Sequence, residues 1–121
     1  MKKKILVIED HDDSRRIMYD LFTNGGYEVI LSDNGLEGVD AAVNHRPDLI
    51  LMDIQLPGID GYEATRRIKA NSELREIPII VVTSYALSGD DNKAFKAGCD
   101  AYVAKPFSPR GLLAKAKEFL P

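Results

Sequence analysis

Four consecutive apolar residues, Leu49, Ile50, Leu51 and Met52, lie between Pro47 and the Pro57-Gly58 pair and run directly into Asp53. So short and so apolar a run reads as a strand buried on both faces. That reading dictates layers on either side of the strand, and it places a carboxylate at the strand's carboxyl end. A carboxylate in such surroundings costs stability unless a cation or hydrogen bonds offset it. Ile5 to Ile8 is a second apolar run, ending on Glu9 and Asp10, and residues 77–82 form a third, ending on Thr83 and Ser84. Residues 27–31 alternate more, and residues 100–104 form a short strand ending at Lys105-Pro106.

Helical patterns separate these runs. Ser14, Ile17, Met18, Leu21 and Phe22 recur at helical spacing until Asn24-Gly25-Gly26 stops them. Asn34 with Glu37, and Asp60 with Glu63, have the spacing of capping boxes. The first opens a helix expected to turn Leu36, Val39, Ala42 and Val43 inward. The second opens one through Ala64 and Ile68 to about Lys69. Residues 88–97 read as a helix poor in apolar side chains, with Ala94, Phe95 and Ala97 its expected core contribution and Gly98 its stop. Ser108 and Pro109 open the last helix, with Leu112, Leu113, Ala116, Phe119 and Leu120 on one face.

Strands alternating with helices and joined by short loops imply a parallel sheet covered on both sides. The expected fold is therefore a doubly wound α/β domain spanning residues 1–121. Its five-stranded parallel sheet is flavodoxin-like, with strand order 2-1-3-4-5: the apolar runs in the middle, the weaker strands at the edges. A length of 121 residues with 45% hydrophobic content suits one such domain. The net charge of -3 gives no footprint for nucleic acid or an anionic membrane. Cys99 is the single cysteine, which excludes an internal disulfide and points to a reducing compartment. The apolar stretch after Lys2-Lys3-Lys4 is too short for a secretory leader, and no segment is long enough to span a bilayer. A cytoplasmic protein is expected.

In sheets of this class ligands sit beyond the carboxyl ends of the strands. Glu9, Asp10, Asp53, Thr83 and Lys105 all fall there. Each alone has an ordinary explanation: Asp10 or Thr83 as a helix cap, Lys105 as a solvated charge. Together they place three carboxylates, a hydroxyl and an ammonium on one rim. Mutually repelling carboxylates of this kind suit Mg²⁺, which takes oxygen ligands and keeps several waters. Lys105 can pair with Asp53 or with a phosphate upon it, and Thr83 can donate a hydrogen bond. These are the parts needed to accept a phosphoryl group. His11 and His45 read as solvated side chains, with a contribution of His11 to metal affinity as the alternative.

With those residues in place, and with Met52-Asp53-Ile54-Gln55-Leu56-Pro57 and Gly61-Tyr62-Glu63-Ala64-Thr65-Arg66, the sequence resembles a response-regulator receiver domain over essentially its whole length. It is similar to the single-domain phosphorelay and cell-cycle receivers of the CheY-like superfamily and to the receivers of hybrid histidine kinases. The resemblance implies that Asp53 is the phosphorylated residue. It implies that Asp10 ligates Mg²⁺ directly, Glu9 mainly through water, and Gln55 through its backbone carbonyl. Thr83 would be the switch hydroxyl, Lys105 the phosphate-pairing lysine in a cis Lys105-Pro106 bond, and Tyr102 an aromatic switch. The phosphoryl donor would be a histidine kinase or histidine phosphotransfer protein, docking on the first helix near Arg15, Ile17 and Met18. Output would pass to a downstream protein effector, with no direct nucleic acid or membrane contact. The chain would not be an enzyme in the ordinary sense, but a phosphoprotein catalysing its own phosphorylation and slow dephosphorylation. Glu9 departs from the commoner Asp without removing a ligand, and bulky Tyr85 is expected to shield the acyl phosphate from water.

Three competing readings share parts of this pattern. A flavin binder of the same fold needs a hydroxyl- and glycine-rich phosphate loop after the first strand, where this chain has Glu9-Asp10-His11-Asp12-Asp13. An aspartate-nucleophile phosphatase typically carries a second acid two residues on, where this chain has Gln55. A phosphorylation-independent interaction module would keep carboxylates that only destabilise it.

Overall fold

The structure, a computed structural model, describes residues 2–84 and 90–120. The strands are β1 (Lys4–Ile8), β2 (Glu28–Ser32), β3 (Leu49–Met52), β4 (Ile79–Thr83) and β5 (Ala101–Ala104). They alternate with α1 (Asp12–Asn24), α2 (Gly35–His45), α3 (Gly61–Ala70), α4 (Asp90–Ala97) and α5 (Pro109–Lys117). The sheet is wholly parallel, in the order β2-β1-β3-β4-β5, as expected from the placing of the apolar runs.

Strand alternation sorts the core into two layers. Leu6, Ile8, Ile50, Met52, Ile79 and Val81 pack against Ala42, Ala64, Ile68, Leu74 and Ala94, beneath α2, α3 and α4. Ile5, Val7, Leu49, Leu51, Ile80 and Val82 pack against Met18, Phe22, Leu112 and Ala116, beneath α1 and α5. Three helix starts follow the sequence reading: Asn34, Asp60 and Ser108 accept from the backbone N–H groups of Glu37, Glu63 and Gly111 at 2.9, 2.8 and 3.2 Å. The second half of the capping box is not used at Asp60, because the Glu63 carboxylate turns to Arg66 and Arg67.

Several inward assignments are corrected. Leu36 and Val43 are exposed, and the inner face of α2 is made by Gly35, Gly38 and Ala42. A Cβ at Gly38 would lie 2.6 Å from Ile8 Cδ1, so the helix approaches the sheet too closely for a larger residue there. Phe95 is likewise exposed, which leaves α4 held by Ala94 and Ala97 alone among the three expected residues. Leu74, in the α3–β4 connection, fills core space that no periodicity announced.

The amino-terminal rim of the sheet is stitched by two aspartates in the same manner. Asp48, just before β3, donates its N–H to Lys4 O and accepts the Lys4 N–H on Oδ2, both at 2.8 Å. Asp100, just before β5, does the same with Ile79, again at 2.8 Å in both directions. Lys69 Nζ adds hydrogen bonds to the carbonyls of Arg75 and Ile77 and to Asp100 Oδ2.

Candidate phosphoacceptor site

The opposite, carboxyl rim carries the chemistry. Ile8 pairs with Met52 in register, so the next residues, Glu9 and Asp53, emerge side by side. Both carboxylates are buried, Glu9 at 0% and Asp53 at 4% exposure. Lys105, carried past Thr83 by the β4–β5 pairing, turns its Nζ between them. It forms a hydrogen-bonded ion pair with Glu9 Oε1 and lies 3.5 Å from Asp53 Oδ2. The other oxygen of Asp53 accepts the Ile54 N–H at 2.7 Å, which orients the carboxylate. Thr83, fully buried, is the last residue of the adjacent strand, and the Lys105-Pro106 bond is cis.

Burial, and then the neighbouring Asp53 carboxylate, raise the Glu9 carboxyl above its usual 4.5, with Lys105 pulling the other way. One ammonium thus faces two buried carboxylates, and the balance favours a further cation. Oxygen donors of this charge fit Mg²⁺.

Of the expected ligands, the structure brings Glu9 and Asp53 together. Asp10 is exposed and stands outside that cluster, and Gln55 is exposed in the loop after Asp53. Tyr102 is half-buried in β5 against the α2–α3–α4 layer. Met18, expected at a docking surface, is in the core, whereas Ile17 is exposed. Tyr85 and Ser88 lie outside the described residues.

The roles of Arg15 and Gly61 were not legible beforehand, and His11 stands closer to the site than a solvated side chain would. Arg15 Nη1 donates to the carbonyls of Glu9 and Asp10 at 3.0 and 3.2 Å, and Nη2 pairs with Asp12, pinning the acidic loop. Gly61 lies against the Asp53 backbone, where a Cβ would fall 2.1 Å from the Asp53 carbonyl oxygen. His11 places Nδ1 3.4 Å from Glu9 Oε2. Next to Lys105 a mainly apolar groove of about 340 Å³ is lined by Ser14, Ile17, Ser84, Lys105, Pro106, Phe107 and Pro109.

The sequence profile described as "Response regulator receiver domain" matches residues 5–117. The chain belongs to that family. A polar-differentiation response regulator, DivK, of Brucella anthropi is 44% identical over 120 residues, covering 99% of this chain and 98% of its own. Among solved structures, the receiver domain of a sensor histidine kinase from Pseudomonas aeruginosa PAO1 superposes with a TM-score of 0.91 at 37% identity, covering 98% of each chain. That receiver holds a magnesium ion in its active-site cleft. A CheY-like receiver from Methanospirillum hungatei JF-1 gives a TM-score of 0.90 at 34% identity, over 98% of this chain and 93% of its own. Among the described residues of this receiver, no helix is long and apolar enough to cross a membrane.

The receiver's lone thiol is remote from this chemistry. Burial, reinforced by the Asp100 charge, pushes Cys99 up to about 11, so at neutral pH almost none is thiolate. Alkylation by iodoacetamide at pH 7.5 is expected to be slow in the folded protein and to proceed readily in denaturant. Equal labelling rates in both states would contradict this burial.

Proposed function

We propose that this receiver is a phosphoacceptor: Asp53 takes a phosphoryl group from a phosphohistidine, and the phosphate resets a protein-interaction surface. The observation that carries the reading is the pairing of Glu9 and Asp53 at the carboxyl rim with Lys105 shared between them. An Asp53 carboxylate oxygen attacks phosphorus, the donor's N–P bond breaks, and the electron pair returns to the imidazole. Lys105 stabilises the charge on the transferred oxygens. Glu9, Asp10, Asp53 and the Gln55 carbonyl would hold Mg²⁺, which supplies further neutralisation of the phosphoryl oxygens. The donor is a histidine kinase or a histidine phosphotransfer protein. Exposed Ile17 and the groove beside Lys105, with Phe107 and Pro109, offer it an apolar seat at the reacting carboxylate. Output passes to a protein effector in the cytoplasm.

Intact mass after incubation with Mg²⁺ and a small acyl-phosphate donor tests this directly. A gain of one phosphoryl group is expected; an unchanged mass under conditions that phosphorylate another receiver would reject the reading.

The switch runs through Thr83 and Tyr102. Thr83 ends β4, and β5 pairs beside it with Val81 opposite Tyr102 and Thr83 opposite Ala104. A hydroxyl drawn toward the phosphate leaves space that the Tyr102 ring can occupy. α4, with little committed core, is the element of low local stability such a change can shift. Thr83→Ala is therefore expected to accept phosphate while amide resonances of α4 and β5 no longer respond to it. Wild-type-like shifts in those elements would refute the coupling.

A further inference from the structure

His11 stands where a nitrogen ligand would. Its Nδ1 lies 3.4 Å from Glu9 Oε2, and one donor atom each from Glu9, His11 and Asp53 fall within 4.8 Å of one another. Ligands bound tetrahedrally at zinc distances sit about 3.4 Å apart, so the histidine–glutamate spacing already matches an edge of such a polyhedron. The ring has no evident folding role to give up. His11 is the N-cap residue of α1, with extended φ and ψ of -76° and 124°, yet its side chain makes no capping hydrogen bond. With 61% of its side chain exposed, it can turn without repacking the core. Beneath it the two buried carboxylates outnumber the ammonium they share.

We propose that His11 is a ligand of the Asp53 cation site and makes it a site for borderline transition ions, Zn²⁺ or Co²⁺, in competition with Mg²⁺. This rests on the reading of Glu9 and Asp53 as a cation site. Imidazole nitrogen suits these ions, whereas Mg²⁺ takes oxygen and keeps its water. Removing the ring therefore weakens one class of ion and leaves the other unchanged.

Calorimetric titration of metal-stripped wild type, His11→Asn and His45→Asn with Zn²⁺ and with Mg²⁺ separates the outcomes, and the visible spectrum of bound Co²⁺ reports the ligand change independently. His11→Asn is expected to weaken Zn²⁺ at least about tenfold, to alter the Co²⁺ spectrum, and to leave Mg²⁺ within about twofold. His45→Asn, the other histidine, is expected to change neither. Equal Zn²⁺ affinity in wild type and His11→Asn, or a loss of Zn²⁺ in His45→Asn instead, overturns the inference while Mg²⁺ binding and phosphate uptake still uphold the phosphoacceptor. Failure of the wild type to bind any of these ions or to take up phosphate would overturn both.

Discussion

Asp53→Asn is expected to give a folded protein that gains no phosphoryl group from any donor. The amide cannot act as the nucleophile, and the neighbouring carboxylate, Glu9, is tied to Lys105 and to the His11 backbone N–H. Stability is expected to hold or rise, despite the loss of a buried charged group. The amide oxygen can still accept the Ile54 N–H, and Lys105 keeps Glu9 as its partner. The sign of the pH dependence points the same way. A carboxyl raised above its usual 4.5, as Glu9 is, binds more protons in the folded state than in the unfolded one. Metal-free stability therefore falls as pH climbs from 4.5 through the raised value. Removing the Asp53 charge takes away one of the causes of that rise, so the variant's profile should be flatter. Urea denaturation at pH 5 and pH 7.5, with intact mass after phosphodonor treatment, checks both halves. Phosphate gained by the variant would displace Asp53 from its role, and a clear loss of stability at pH 7.5 would show that the carboxylate pair is better compensated than its geometry implies.

Gly61→Ala should be the most damaging single-methyl change near the site. Helix propensity alone favours alanine over glycine by at most about 1 kcal/mol at the start of α3. The added Cβ, however, would lie 2.1 Å from the Asp53 carbonyl oxygen and 2.8 Å from Ile54 Cα. Both are backbone atoms, and Gly61 N–H is already bound to Ile54 O at 2.8 Å, so no side chain can swing aside to relieve the clash. Overpacking against backbone should cost about 3 kcal/mol, outweighing the propensity gain. A domain of this size then melts roughly 10 °C lower. Because the displaced carbonyl belongs to Asp53, the proposed phosphoacceptor, phosphorylation should slow as well. An unchanged or higher melting temperature would show that the α3 start can move away at little cost.

The sheet and the rim residues were legible because they announce themselves by contrast. Asp53 follows four apolar residues, and Glu9, Thr83 and Lys105 each end their own strand, so order along the chain was enough to bring them together. What stayed hidden depends on direction rather than position. Nothing in Glu9-Asp10 says that the glutamate would be the buried member and the aspartate exposed; strand register, fixed by the whole sheet, decides that. Leu36, Val43 and Phe95 misled because hydrophobicity marks a candidate for burial, whereas on α2 the close approach at Gly38 assigns the inner face to small residues. Arg15 and Gly61 escaped because their roles are toward backbone atoms, which leave no pattern in side-chain type. A glycine directly after a capping aspartate, eight residues beyond Asp53, is the one trace that close approach leaves.

The paired stitches at Asp48 and Asp100 have a mechanical consequence. Each ties the first residue of a neighbouring strand through two hydrogen bonds, and Lys69 adds a third anchor at the same end. At the opposite end the backbone ladder closes with the Lys105 N–H on Thr83 O at 2.8 Å, and the side chains beyond it are those that a phosphate on Asp53 would meet. The strands are thus clamped at both rims, so the frame keeps its order and spacing while side chains at the carboxyl rim carry any rearrangement.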